Sequence, residues 1–186
     1  MSIQQGSAGG VPELILKEGA TQTKGRDAQK NNITAAKLIS EVVASSLGPR
    51  GMDKMLVDSL GDVTITNDGA TILKEVDVQH PAAKMMVEIS KATDNEVGDG
   101  TTSVVVLAGA LIEKAEELIS KDVHPTIIVD GYRKSAVKAV DILNSLAQKI
   151  DGGDKSQLNR IARTSMQTKL VSREASELAD IVVNAA

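Results

Sequence analysis

Three glycine-flanked breaks carry the residue types that phosphate chemistry uses. The first is Gly98-Asp99-Gly100-Thr101-Thr102-Ser103, at the start of a long helical pattern. Gly98 and Gly100 let the backbone come close to a ligand. Thr101, Thr102 and Ser103 bring hydroxyls and free N–H groups to the positive end of a helix dipole, which suits a phosphate. Asp99 alone would repel that phosphate, but it would hold a Mg²⁺ ion arriving with a nucleotide. The plainer reading is an Asp N-cap followed by threonines, and spacing alone favours it. The second break, Asn67-Asp68-Gly69-Ala70-Thr71, puts another Asp at a helix start. One such Asp is usually a cap, but two of them, separated by one helix, could converge on a metal–phosphate centre. The third, Leu47-Gly48-Pro49-Arg50-Gly51, reads by itself as a helix stop.

Other chemistries find little support. There is no Walker A sequence, no GxSxG and no HExxH. Ser103 stands where a dinucleotide-binding loop needs its third glycine, and no strand precedes that loop, so a Rossmann reading is poor. The chain has no cysteine, which excludes disulfides, Cys-type zinc sites and a thiol nucleophile. His80 and His124 each precede a proline and read as helix-entry residues, not ligands. A formal charge of −4 gives no general attraction to nucleic acid or to an anionic membrane. With Tyr132 as the sole aromatic residue, base-stacking platforms are absent as well. No apolar run reaches the roughly 18–20 residues of a membrane span. The N-terminus lacks the basic-then-apolar order of a signal peptide, so a soluble cytoplasmic protein is expected and the sequon Asn32-Ile33-Thr34 is set aside.

These breaks need helices to hold them. The chain of 186 residues has room for one domain or a domain and part of another, and its 41% apolar content is almost wholly aliphatic, which favours packed helices. Residues 1–12 read as a disordered tail, followed by a short apolar patch, Leu14-Ile15-Leu16, expected to dock as an edge element. A helix is predicted from about residue 31, with Ile33, Ala36, Ile39, Val43 and Leu47 as its stripe, ending at Gly48-Pro49. Met55-Leu56-Val57 and Val63-Thr64-Ile65-Thr66 predict a small hairpin. A short helix over 70–76 follows, with Asp68 as its cap. Three long helices are then predicted. One runs from Pro81 to about Thr93, with Met85 and Met86 in the core. The next covers about 101–120; its first half, apolar nearly all round from Val104 to Leu111, is expected to be central and buried. The third starts at Pro125 and reaches Ile150, with Val137, Val140, Leu143, Ala147 and Ile150 as its stripe. The charge run Glu113 to Glu117 reads as a solvated face. Asp151-Gly152-Gly153-Asp154 marks a domain boundary. Beyond it, helices are predicted over about 156–165 and 172–186. The last carries Leu178, Ile181 and Val182 on a face with nothing after it to cover it, which suggests a truncated chain.

Leu47-Gly48-Pro49-Arg50-Gly51-Met52-Asp53-Lys54-Met55, the block from Gly61 through Asn67-Asp68-Gly69-Ala70-Thr71 to Leu73, and Glu96-Val97-Gly98-Asp99-Gly100-Thr101-Thr102-Ser103-Val104-Val105 resemble the signature blocks of group II chaperonins. His80-Pro81-Ala82-Ala83-Lys84 and His124-Pro125-Thr126-Ile127-Ile128 match as well. The resemblance covers the chain from about Leu14 onward, in the family's order, and is closest to archaeal thermosome subunits.

The resemblance implies a mainly α fold: the helical bundle of a chaperonin equatorial domain with a small β-hairpin, plus the first helices of the intermediate domain. Residues 1–150 would be the N-terminal part of the ATP-binding equatorial domain, and residues 151–186 the first limb of the intermediate domain. By the family pattern, Gly48 and Pro49 lie against the nucleotide, Asp99 binds Mg²⁺, and Gly100, Thr101, Thr102 and Ser103 hold the phosphates of ATP or ADP. Asp68 helps position the attacking water. The segment Thr164 to Lys169 resembles the loop that senses the terminal phosphate, with Ser165 and Lys169 as contacts. The implied activity is ATP hydrolysis that drives folding of non-native client proteins in a ring of chaperonin subunits, with no nucleic acid and no membrane as partner. The apical domain, the return limb of the intermediate domain, which supplies a further catalytic Asp, and the rest of the equatorial domain are missing. This chain alone is therefore expected to be inactive. The alternatives are a truncated assembly module that does not turn over ATP, and a small stand-alone ATPase.

Overall fold

The computed structural model describes residues 22–185. Among them are seven helices and one antiparallel pair of strands, in the order α1 (Gly25–Ala44), β1 (Lys54–Val57), β2 (Val63–Thr66), α2 (Gly69–Glu75), α3 (Pro81–Val97), α4 (Thr101–Ile119), α5 (Pro125–Leu146), α6 (Lys155–Met166) and α7 (Ala175–Ala185). The mainly α expectation holds, and the hairpin stands where it was predicted, with Lys54 opposite Thr66 and Val57 opposite Val63. The expected tail and the Leu14-Ile15-Leu16 patch lie outside the described residues.

Local chemistry sets the helix starts. His80 and His124 are N-caps followed by proline; their Nδ1 atoms accept from the N–H groups of Ala82 at 3.2 Å and Thr126 at 3.3 Å. Proline at N1 has no N–H to satisfy and is pre-set for the helix, so the His-Pro pair starts a helix twice by the same means. Asp154 caps α6 through the N–H groups of Ser156 and Gln157. Helix ends departed more from expectation. α1 starts at Gly25, some way before residue 31, because its first two turns are nearly all exposed and so carry no apolar period to read. It stops at Ala44, which leaves Leu47 outside the helix and 42% exposed. α3 continues past Thr93 until Gly98, whose φ of 67° is the left-handed cap that ends it.

The core lies between α1, α2, α3 and α4. Val43, Ile72 and Val105 have no exposed surface, and Ala36, Ile39, Leu73 and Met86 join them. Met86 is in the core as expected, but its neighbour Met85 is exposed. α1 and α4 pack closely at Gly109, where any Cβ would collide with the Ser40 side chain. Lys37 on α1 also reaches Glu116 on α4 at 2.9 Å, and Lys114 pairs with Glu117 at 2.6 Å, so the predicted solvated charge run does face water and also clips two helices together.

Two burial expectations fail. The first half of α4 is buried on one side only: Val105 and Gly109 are covered, while Leu107 and Leu111 are exposed. α5 ends at Leu146, short of Ile150, and its stripe is open to solvent, with Val137, Val140, Leu143 and Ile150 each at least half exposed. α5 is held at its start by Ile128, its one buried residue, and by the Tyr132 hydroxyl donating to the Leu111 carbonyl at 2.6 Å. Periodicity reports which face is apolar; it does not say whether the described residues contain a partner for that face. α6 packs against α7, burying Ala175 and Ala179, while Ile181 and Val182 stay exposed.

Candidate functional site

The site is built where two helices begin. α4 starts from Gly100, whose φ of 76° requires a residue free to adopt the left-handed conformation. The first intrahelical bond runs from Val104 N–H to Gly100 C=O at 3.0 Å. The N–H groups of Thr101, Thr102 and Ser103 precede it and have no partner along the helix. A glycine N-cap has no side chain to claim them.

α2 begins beside them. Asp68 is its N-cap: Oδ2 accepts from the Thr71 N–H and from the Thr71 hydroxyl, each at 3.0 Å. Asp68 Oδ1 accepts from the Thr101 hydroxyl at 3.2 Å and from Lys169 Nζ at 3.0 Å. Partial burial alone would raise the Asp68 pKa, but the Thr71 N–H, the Lys169 ammonium and the Thr71 hydroxyl outweigh it and hold the carboxyl below its ordinary value. Gly69 makes the convergence possible. A Cβ there would lie 2.6 Å from Thr102 Oγ1 and 2.7 Å from Thr102 N, so only glycine lets the two helix starts touch.

Asp99 is not the cap that its spacing favoured. Gly100 takes that position, and Asp99 Oδ1 accepts from the Gly100 N–H at 2.8 Å. Its Oδ2 accepts from the Ser165 hydroxyl at 2.7 Å, across 66 residues of sequence. The cap reading does hold for Asp68, alongside its longer-range contacts.

A turn after α1 supplies the facing wall. Gly48 has φ 85°, and the Gly51 N–H returns to its carbonyl at 2.9 Å. Gly48, Asp99, Gly100, Thr101, Thr102, Ser103 and Lys169 line one cavity of about 60 Å³. Asp68 stands behind this lining, bonded to Thr101 and Lys169. Pro49 is exposed and outside the lining. Ser165 lines an adjoining open cleft of about 590 Å³ that shares Asp99 and Thr168 with the cavity and also carries Lys149 and Arg160.

Sequence reading missed four residues of the cavity lining, Ser46, Leu47, Asn67 and Thr168. Asn67, 8% exposed, donates from Nδ2 to the Thr168 carbonyl at 2.8 Å, fastening the turn after α6 to the end of β2. Ser46, 5% exposed, presents an Oγ with no hydrogen-bond partner among the described residues. Asn67 stood inside a quoted motif but read only as a strand breaker. A hydroxyl two residues before a helix-stop glycine carries no sequence signal at all.

The donor set fits an anion that brings a cation with it. No group of three or more His, Asp or Glu residues among the described ones could hold a metal by itself. Mg²⁺ commonly takes one or two protein carboxylates and completes its shell with phosphate and water. Asp99, exposed beside a helix start with unclaimed N–H groups and an orphaned Ser46 hydroxyl nearby, matches that mode.

Residues 39–186 match the TCP-1/cpn60 chaperonin family. The chain is 60% identical to the thermosome subunit alpha of Archaeoglobus fulgidus and 59% identical to its thermosome subunit beta, each over 95% of this chain and 32% of the relative. It is 56% identical to the thermosome subunit alpha of Sulfolobus acidocaldarius, over 92% of this chain and 32% of that protein. The chain thus spans about a third of the length of these relatives. A family match that takes in the last turns of α1, both strands and α2 to α7, including every loop gathered at the α4 start, means that the chain belongs to the TCP-1/cpn60 chaperonin family.

Proposed function

We propose that this chain is the nucleotide-binding part of an ATP-driven chaperonin subunit. The observation that carries the reading is the convergence at the α4 start, where Gly48, Asp68, Asp99 and Lys169, from four separate segments, surround N–H groups that no helix bond uses. Residues 1–150 are then the N-terminal part of the equatorial domain, and residues 151–186 the first limb of the intermediate domain.

In this reading Gly100, Thr101, Thr102 and Ser103 receive the phosphates of ATP or ADP, because N–H groups at a helix start favour anions. Gly48 borders the nucleotide, with Pro49 next to it in the turn but outside the lining. Asp99 holds Mg²⁺, which when bound neutralises phosphate charge. Asp68, kept ionised by its partners, orients the attacking water. Lys169 is the cation for the terminal phosphate, and Ser165 stands beside Asp99. Nucleotide pockets are about 300 Å³ or larger, so the cavity of about 60 Å³ must open for a nucleotide to enter. Lys169, which lines it, is bonded to Asp68, and that is the contact that entry would rearrange. The whole subunit would act in the cytoplasm, in a ring with other subunits, on non-native proteins. Among the described residues no helix is long and apolar enough to cross a membrane.

The small volume of the cavity, about 60 Å³, favours a second reading for this chain by itself: an assembly module of a chaperonin that does not turn over ATP. Calorimetric binding of Mg²⁺–ADP, together with hydrolysis assays on this chain and on a subunit of the relatives' full length, separates the readings. Binding by both with turnover only in the longer chain is expected. Binding by neither would reject the nucleotide site, and binding without turnover in the longer chain would favour the assembly module. Turnover in the short chain would make it a complete ATPase.

A further inference from the structure

Asp99 is an exposed carboxylate between two glycines of positive φ, so neither packing nor backbone stiffness fixes its direction. Two hydrogen bonds do. The Gly100 N–H donates to Oδ1 at 2.8 Å and the Ser165 hydroxyl donates to Oδ2 at 2.7 Å. One donor on each oxygen sets the carboxylate plane and leaves each oxygen a further lone pair for another partner. The Gly100 bond is local and moves with the loop. The Ser165 bond comes from the last turn of α6, and it alone among the bonds to Asp99 ties it to a separate element.

We propose that Ser165 is a positioning residue for Asp99. Its hydroxyl aims the carboxylate at the divalent cation carried by a nucleoside diphosphate or triphosphate, and so couples that cation to the α6–α7 pair. The proposal rests on the reading of Asp99 as the cation-binding carboxylate. Partners that hydrogen-bond a ligating carboxylate orient it, and removing one typically costs about 10–100-fold in metal affinity. Coupling is reciprocal: whatever factor α6 adds to cation binding, the cation adds to the docking of α6. The other two bonds from this turn, Thr168 to Asn67 and Lys169 to Asp68, do not touch Asp99, so they hold the turn without reporting on the cation.

The test uses the 186-residue chain, ADP, and Mn²⁺ as a paramagnetic stand-in for Mg²⁺. ADP affinity is measured with Mn²⁺ and in EDTA, and amide hydrogen exchange of α6 and α7 is followed with and without Mn²⁺–ADP. In the parent chain Mn²⁺ raises ADP affinity and slows exchange in α6–α7. Ser165→Ala is expected to lower the ratio of the two affinities about tenfold, the lower end of that range, and to abolish the Mn²⁺-dependent slowing. Ser165→Thr, which keeps the hydroxyl, restores both. Loss of affinity by the same factor with and without Mn²⁺ would make Ser165 a structural residue or a direct nucleotide contact and would overturn the proposal. A threonine variant that behaves like alanine would overturn it too. Asp99→Asn separates the two layers. If it loses the Mn²⁺ effect while Ser165→Ala keeps it, the site reading stands and only the coupling fails. If Asp99→Asn keeps the Mn²⁺ effect, or the parent chain shows none, both fail.

Discussion

Asp68 Oδ2 caps α2 while Oδ1 faces Lys169 and Thr101, so its Asn and Ala variants remove different things. Asn retains a capping oxygen but no charge; Ala loses both, at a cost of about 1 kcal/mol for the cap. Because the folded pKa is depressed, the ionised Asp68 contributes stability that is present above the unfolded value and is lost as pH falls through the folded one. Asp68→Asn should therefore flatten the acid limb of the stability–pH curve below the ordinary carboxylate range, read by urea unfolding at stepped pH. An unchanged acid limb would show that the Lys169 pair adds nothing. Asp99→Ala, by contrast, should weaken Mg²⁺–nucleotide binding, since it removes the one carboxylate assigned to the cation. In a full-length subunit Asp68→Ala should spare binding and slow single-turnover hydrolysis by about 10²-fold or more, as for a positioned group acting on water. Equal loss of binding in both variants, with normal turnover of what does bind, would leave Asp68 without a role in the chemistry.

At the scale of elements, the site depends on how closely two helix starts approach. Gly69→Ala puts a methyl within 2.7 Å of the Thr102 backbone nitrogen, and that contact cannot be relieved by turning a side chain. Overpacking of this kind costs about 1–3 kcal/mol. The relief must come from moving α2 and α4 apart, which shifts the α4 start and the Thr101 and Thr102 N–H groups it offers. Gly69→Ala should thus lower both the urea midpoint and ADP affinity. A stability loss with unchanged affinity would mean that the α2–α4 contact serves packing only. The His-Pro starts of α3 and α5 lie outside the cavity lining, and replacing His80 by Ala should cost stability without touching nucleotide affinity.

Across the whole molecule, burial divides the apolar residues into two populations with opposite expected responses. Ile72 is fully buried between α1, α2, α3 and α4, so Ile72→Ala should cost about 2–5 kcal/mol. Val137 and Leu143 on α5 are 67% and 65% exposed, so replacing both by Lys should leave the unfolding midpoint nearly unchanged. The same double substitution should reduce self-association in sedimentation experiments, because exposed apolar rows are association surfaces. A large stability loss from the α5 pair would show that this face is covered in solution.

What the sequence by itself determined was local and chemical. His-Pro starts, the Asp68 cap and the hairpin are each written within a few residues, because caps and turns are satisfied by near neighbours. The family was legible as well, from several ordered blocks at once. Only the tertiary structure decided that Asp99 does not cap its helix but is held by Ser165, that Ser46 and Asn67 line the cavity at the α4 start, and that Pro49 lies outside that lining. It also decided that the stripe of α5 is open while that of α1 is covered from Ala36 to Val43. These outcomes depend on contacts between segments far apart in the chain, such as the 66 residues between Asp99 and Ser165 and the 101 between Asp68 and Lys169. Amphipathic periodicity states that a face can be buried; which surface meets it is fixed only when helices pack and compete for the same partner.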